Sequence, residues 1–467
     1  MPAHPALYPL LPGPPLEIML PHPSVTSRMS SMSGRQFKAF DSYVGSIETL
    51  ADEALKDLEP SRTRANIRPI LDGQLAREFR DNVPLETRRS AGVFFTGTKL
   101  ARRLSREILS HLPPNAVIAD PACGLGDLLL AAARGLPTGP DLAGTLQIWG
   151  NRLMGFDTQP EFVRATKIRL LLLAILRSRQ IGALSIPKIP DLFPMIHTHD
   201  FLACPEEFAR ASHILINPPY NQLTAPSECI WGNRKVSAAA LFIDTCLSNA
   251  AAGARIAAIL PDVLRSGSYY EKWRQYVESL AEQVEITTYG QFDNWTDVDV
   301  FILKLVKSHS KQATKATWWR SLRHPSKGKL GDYFIVHVGP VVPHRNPEKG
   351  PSFAYIHAKT IPAWETVRRI NERRRFTGTT FTPPFVAVRR TSRPCDKRAI
   401  ATIIAGSREV AVENHIIVLF PNGKTITECR NLVRVLKFPQ TDHWLDKRIR
   451  CRHLTVGALQ NLPWWRI

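Results

Sequence analysis

Between residues 91 and 306 the chain alternates short β-branched runs with longer helical patterns, and that rhythm limits the folds open to it. Val117–Ala119, Ile148–Phe156, His213–Ile216 and Ile256–Leu260 read as strands. Gly126–Arg134, Glu161–Arg177 and Ala238–Ala251 lie between them, with apolar positions at helical spacing. Strands joined by crossover helices build a parallel sheet wound on both faces, so an α/β fold is expected. Asp120, Asp157 and Asn217 each follow one of these runs. They would therefore sit at the carboxyl edge of the sheet, where such folds bind ligands.

The first run leads into Asp120-Pro121-Ala122-Cys123-Gly124-Leu125-Gly126-Asp127, which opens a helix. Gly124 and Gly126 allow a sharp turn and a close backbone approach to a ligand, although a purely structural turn would use the same residues. About 30 residues on, Gly155-Phe156-Asp157 ends the second run. An acid there either accepts hydrogen bonds from ribose hydroxyls or caps the next helix. The third run ends in Asn217-Pro218-Pro219-Tyr220, about 90 residues beyond the glycine turn. Two prolines fix the backbone and remove two N–H donors. Asn217 adds an acceptor and Tyr220 an aromatic face. An amine on an aromatic ring needs two acceptors for its hydrogens and a surface on which the ring can stack. In isolation the tetrapeptide could be a surface turn or a proline-motif ligand; after a buried-type strand it reads as a site.

Charge divides the chain. Residues 1–310 hold 32 basic and 31 acidic side chains, whereas residues 311–467 hold 29 and 10, a net +19 of the total +20. Such a domain suits nucleic acid, with a solubilising or membrane-facing surface as the bland alternative. Arg373–Arg375, Arg389-Arg390, Lys447-Arg448, Arg450 and Arg452 are the candidates to neutralise phosphates. Trp318-Trp319 and Trp464-Trp465 read as packing residues. No apolar stretch approaches the roughly 20 residues of a membrane span. Leu170–Leu176 is bracketed by Arg169 and Arg177. No secretory start is evident, and seven scattered cysteines without a C-x-x-C pair argue for reduced thiols in a cytoplasm. Their spacing suits no zinc site, so no metal is expected. The division expected is a disordered extension over 1–35 (Met29 and Met32 being further possible starts), a helical segment over 36–90, a catalytic domain over 91–310 and a basic domain over 311–467.

Over about residues 88–306 the content and order of these motifs resemble the gamma-class N6-adenine DNA methyltransferases of restriction–modification systems. The resemblance implies a Rossmann-like, S-adenosylmethionine-dependent methyltransferase domain followed by a mixed α+β target-recognition domain. It implies that Phe94 and Thr96, within Gly92-Val93-Phe94-Phe95-Thr96, contact the cofactor together with Asp120, Ala122, Gly124 and Gly126. Asp157 then holds the ribose, while Asp200 and Phe201 meet the cofactor's adenine. Asn217, Pro218, Pro219 and Tyr220 form the catalytic loop, and Phe292 joins Tyr220 in stacking on the target base. Arg389, Arg390, Arg448, Arg450 and Arg452 become DNA contacts. Thr96-Gly97 stands where the family commonly has Thr-Pro, and Leu125 where Ser is usual; neither departure removes a chemical group.

The function expected is methylation of the N6 amine of an adenine flipped from duplex DNA, which protects host DNA from a partner endonuclease. That endonuclease is expected to be a separate protein, since no Asp…Glu-x-Lys cluster follows a β-like run and about 90 N-terminal residues are few for a nuclease. No Pro-Cys follows a strand, which argues against cytosine-C5 chemistry. The alternatives are a methyltransferase acting on a glutamine amide in protein or on RNA, and a DNA-binding module with an inactive core. Strong salt dependence is expected of DNA binding by 311–467.

Overall fold

The computed structural model describes residues 38–56, 60–110, 112–178, 188–293, 296–310, 314–319, 325–392, 396–449 and 453–465. The extension expected over 1–35 lies outside them.

Four helices come first: α1 (Lys38–Lys56), α2 (Pro60–Leu71), α3 (Gln74–Asn82) and α4 (Leu85–Ala91). Helix α5 (Thr98–Ile108) precedes the sheet. The sheet elements then alternate as β1 (Ile118–Asp120), α6 (Asp127–Ala133), α7 (Leu142–Gly150), β2 (Leu153–Asp157), α8 (Pro160–Arg177), β3 (Ile196–Thr198) and β4 (His213–Ile216). They continue with α9 (Ala238–Asn249), β5 (Arg255–Pro261), α10 (Glu271–Leu280), β6 (Ala281–Asp293) and β7 (Thr296–Lys307). The seven strands form one sheet in the order β3-β2-β1-β4-β5-β7-β6. The first five are parallel, and β7 runs antiparallel to both its neighbours. This is a Rossmann-like α/β sheet closed at one edge by a hairpin.

Side chains alternate across the strands as the pleat requires. Ile118, Leu215, Ala257, Ile259 and Ile302 enter a core shared with α5 to α8 and the N-terminal helices. Ala119, Ile214, Ile216, Ala258, Leu260 and Phe301 enter the opposite core under α9 and α10. Helix α8 is buried on nearly every side, because the sheet covers one flank and α1 and α2 the other. Its apolar run, Leu170–Leu176, therefore belongs to a core. Each such leucine contributes about 1.5–3 kcal/mol of burial. Among the described residues no helix is long and apolar enough to cross a membrane.

Two local expectations are corrected. The run Ile148–Phe156 is not one strand: residues 148–150 end α7, and β2 starts at Leu153. Asp141 caps α7 by accepting from Gly144 N–H at 2.8 Å, which commits the residues beyond it to helix despite their β-branched and aromatic content. The parallel α/β pattern also stops at β5, since β6 and β7 form an antiparallel hairpin with three register shifts.

Beyond it lies a mixed α+β region. Strands β8 (Phe334–Val338), β9 (Ser352–Ile356), β10 (Thr366–Val367), β11 (Arg373–Arg375), β12 (Phe385–Arg389), β13 (Ala401–Ile404), β14 (Val410–Val412) and β15 (Ile416–Pro421) make two sheets, ordered β8-β15-β12-β13-β10 and β11-β9-β14. Helix α11 (Ile426–Lys437) opens with a Thr425/Glu428 capping box and buries Cys429, Leu432, Val433, Val435 and Leu436 among Val386, Val388, Ala401 and Leu419.

Candidate active site

Strands β1 and β4 are neighbours, yet the chain leaves them in opposite directions across the sheet: β1 leads toward β2 and β3, β4 toward β5. A crevice opens between carboxyl ends at such a switch point. Asp120 ends β1 and Asn217 follows β4, so topology alone brings the two motifs to one crevice.

The glycine turn is tied across to β2. Cys123 N–H donates to the Phe156 carbonyl at 2.9 Å, and Gly124 N–H to Asp157 Oδ2 at 2.9 Å. Gly126 has φ +80°, and a Cβ there would lie 2.7 Å from Thr166 Cγ2, so only glycine fits. The Asp120 side chain is buried, and its Oδ1 accepts from Ala122 N–H at 3.2 Å. Burial raises its pKa well above the ordinary range, and the charges of Asp157 and Asp127 add to this. Asp157 is half-buried; burial pushes it from 3.8 to about 6, offset in part by the N–H groups of Gln159, Gly124 and Thr158. Its Oδ1 accepts from Gln159 N–H at 2.9 Å, so it also shapes the entry to α8. Cys123 is a buried packing residue against Gly155. Asp200 turns the chain after β3, with Oδ1 accepting from Leu202 N–H at 3.1 Å. The Phe201 ring is core, 2% exposed and stacked between Phe156 and Phe242. Its ring is thus placed differently from the expectation that it meets a ligand.

At Asn217 the structure adds what the sequence did not disclose. The buried amide nitrogen donates to the Phe94 carbonyl at 2.9 Å and to Thr96 Oγ1 at 3.1 Å. Both amide hydrogens are therefore engaged, and Oδ1 is the acceptor left for the crevice. The Tyr220 hydroxyl donates to that Oδ1 at 2.8 Å. The Tyr220 ring stacks on Phe94 at 5.4 Å, and Phe292 from β6 meets both edge-on, at 5.9 Å from Tyr220 and 6.4 Å from Phe94. Phe94 and Thr96, expected at the cofactor, are thus placed against Asn217 and Tyr220 and hold that loop in place. Phe95 is the segment's residue nearest the glycine turn, and it packs on Phe79 and Phe162. Gly92 has φ +69°, which a side chain would strain, and a Cβ there would lie within 3.0 Å of the Pro219 side chain.

A buried arginine supports this assembly from below. Arg169 of α8, 1% exposed, donates to the carbonyls of Leu125 and Ile70 and to Asp127 Oδ1 at 3.0 Å. Asp127 Oδ2 in turn accepts from Gly97 N–H at 2.9 Å, the residue after Thr96. Arg169 had read only as a charge bracketing an apolar run, because its partners are distant in sequence.

The basic residues are placed less simply. Arg450 and Arg452 lie outside the described residues. Arg389 donates to the Ile361 carbonyl at 2.7 Å and Arg390 to that of Leu454 at 3.4 Å. Arg448 lies 3.1 Å over the Trp319 ring, and burial lowers its pKa to about 10. These three brace their own surroundings, an arrangement a half-buried guanidinium requires. Among the described residues no group of three or more His, Cys, Asp or Glu could hold a metal ion.

Solved structures with similar features include the type IIG restriction endonuclease BpuSI, at 16% identity over 88% of this chain and 63% of that one, with a TM-score of 0.43. The type I restriction enzyme EcoKI M protein is similar at 14% identity over 60% of this chain and 59% of that one, TM-score 0.34. A type I restriction-modification system methyltransferase subunit from Streptococcus thermophilus is similar at 16% identity over 46% and 45%, TM-score 0.34. The chain spans 63% of BpuSI, less than two thirds of its length. No curated protein matches the chain significantly. The family model described as N-6 DNA Methylase matches residues 81–324, which cover the first segment, the glycine turn, the Asn-Pro-Pro-Tyr loop and the closing hairpin. That match takes in just over half of the chain, and the chain belongs to the N-6 DNA methylase family.

Proposed function

We propose that the chain transfers a methyl group from S-adenosylmethionine to the N6 amine of an adenine rotated out of duplex DNA, and that it serves the modification side of a restriction–modification system. The observation that carries this reading is the fixed Asn217 amide at the switch point, whose oxygen accepts from the Tyr220 hydroxyl while the Tyr220 ring packs with Phe94 and Phe292. The bare backbone at Gly124, the Asp157 side chain tied to it and the buried Asp120 carboxyl nearby fit a cofactor that carries ribose hydroxyls. The cofactor supplies a methyl group already activated on a positively charged sulfur, so no covalent intermediate on the enzyme is required. What the chain must do is orient the amine and raise its nucleophilicity. Asn217 Oδ1 and the Pro218 carbonyl accept its two N–H bonds, and they stabilise the positive charge that develops on nitrogen. Pro219 stiffens the loop, and Tyr220 and Phe292 replace the stacking lost when the base leaves the helix. Residues 91–310 are read as the catalytic part and 311–467 as the target-recognition part.

The test is transfer of labelled methyl groups by the full chain to duplex DNA, RNA and a protein release factor in parallel. N6-methyladenine in the DNA is expected. Label confined to RNA or to a glutamine amide, or no label at all, overturns the reading.

Asp157 adds a pH signature. The ionised carboxylate is the better acceptor for ribose hydroxyls, so cofactor affinity is expected to fall as pH drops through about 6. Calorimetric titration from about pH 5 to pH 8 measures it, and Asp157→Asn should flatten the curve. A wild-type affinity constant across that range would refute the role. Stability without cofactor runs the other way. Because the folded pKa is raised, this group's contribution is present below about 3.8 and is lost as pH rises through about 6.

A further inference from the structure

We propose that one face of α5, carrying Lys99, Arg102, Arg103 and Arg106, grips the phosphate backbone of duplex DNA beside the base pocket. This rests on the reading of the chain as a DNA methyltransferase, and it places a DNA contact within residues 1–310, whose charges nearly cancel.

The four residues follow the i, i+3, i+4, i+7 pattern of a single helix face, and all are exposed. Leu100, Ala101, Leu104 and Ile108 on the other face are buried and fold the helix without their help. The basic face lines a cleft of about 810 Å³ together with Asp72, Thr98 and Tyr289. Tyr289 stands three residues before Phe292 in β6, so the strand that lines the cleft also supplies the ring that meets Tyr220 and Phe94. Arg103 lies 5.6 Å from the centre of the Tyr289 ring, which fixes one end of the charged face to that strand.

Local electrostatics oppose this arrangement. The first turn of α5 has a lysine and no acid, although a helix N-terminus favours negative charge. Like charges at i+3 and i+4 destabilise a helix. Among the described residues Asp72 is the one acid lining the cleft; it is half exposed and lies 3.6 Å from both Arg102 and Arg134. A polyanion would relieve this repulsion. By contrast, arginines of the basic third that the sequence singled out are held by their own chain. Arg373 donates to Ser352, Arg374 to Glu348 and Asn346, and Arg375 to Gly350.

The test uses the full chain with Lys99, Arg102, Arg103 and Arg106 all changed to Gln. Anisotropy of a labelled duplex of random sequence is followed as salt varies, and calorimetry follows S-adenosylmethionine binding. The slope of log affinity against log salt is expected to shrink by about 3 to 4, with affinity near 0.1 M salt falling on the order of a thousandfold. Cofactor affinity should be unchanged. An unchanged slope in a variant that still binds cofactor overturns the inference and leaves the methyltransferase reading intact. A wild-type chain that neither binds nor methylates duplex DNA overturns both. Should the fourfold variant fail to fold, the single Arg106→Gln variant is expected to lower the slope by about 0.9, and no change there overturns the inference.

Discussion

Replacing Asn217 with alanine is expected to lower kcat for methyl transfer about a hundred- to a thousandfold, the range for removing one preorganised partner of a developing charge. Binding of DNA and cofactor should change little, because the lost acceptor acts where charge appears and not on the ground state. The structure adds a second arm. Thr96 does not reach the reacting atoms in this reading; it is a positioning residue that holds the Asn217 amide at 3.1 Å. Thr96→Val removes that acceptor and frees the amide to turn its NH2 group toward the amine, so kcat should fall with KM nearly unchanged. Thr96→Ser keeps the hydroxyl and should restore most of the rate. Single-turnover rates on duplex DNA check both arms. Near-wild-type rates in Asn217→Ala would remove the catalytic role, and equal losses in the valine and serine variants would reduce Thr96 to packing.

The second large effect concerns stability. Arg169→Met is expected to cost about 3–5 kcal/mol, because it strands the buried Asp127 carboxylate and leaves carbonyls of Leu125 and Ile70 without their donor. Denaturant titration would show a lower midpoint, and the Arg169→Met/Asp127→Leu pair should recover part of the loss because no unpaired charge remains. The rate should suffer too. Asp127 holds Gly97, Gly97 follows Thr96, and Thr96 holds Asn217. A loss under about 1 kcal/mol, or an additive double variant, would mean that Arg169 is not the support described.

Much of the site was legible because its turns are local. Proline fixes φ by its ring, and glycine permits φ values that side chains exclude, so Asn217–Tyr220 and Asp120–Gly126 announce their backbone shape wherever they occur. The strands leading to Asp120 and Asn217 were equally plain, since each is a short, fully buried run. Local pattern failed at Ile148–Gly150, where a distant-looking cap at Asp141 and burial of Trp149 outweighed β-branched content. It also failed for the hairpin β6–β7, because antiparallel edge strands carry no crossover helix to mark them.

The sequence by itself determined the α/β class, the order of the motifs and the chemistry available at the sheet edge. Tertiary structure alone decided which groups cooperate there. The contacts of Asn217 with Phe94 and Thr96 span 123 and 121 residues, and that of Arg169 with Ile70 spans 99. No periodicity encodes pairings over such distances; they exist because the strand order sets β1 beside β4 and the N-terminal helices against α8. Charge followed the same rule. Summed along the chain it pointed to 311–467, whereas folding engages several of those arginines internally and spreads the cations of α5 along a cleft that Tyr289 of β6 also lines. A sum over sequence has no direction, and binding depends on which face a charge is on.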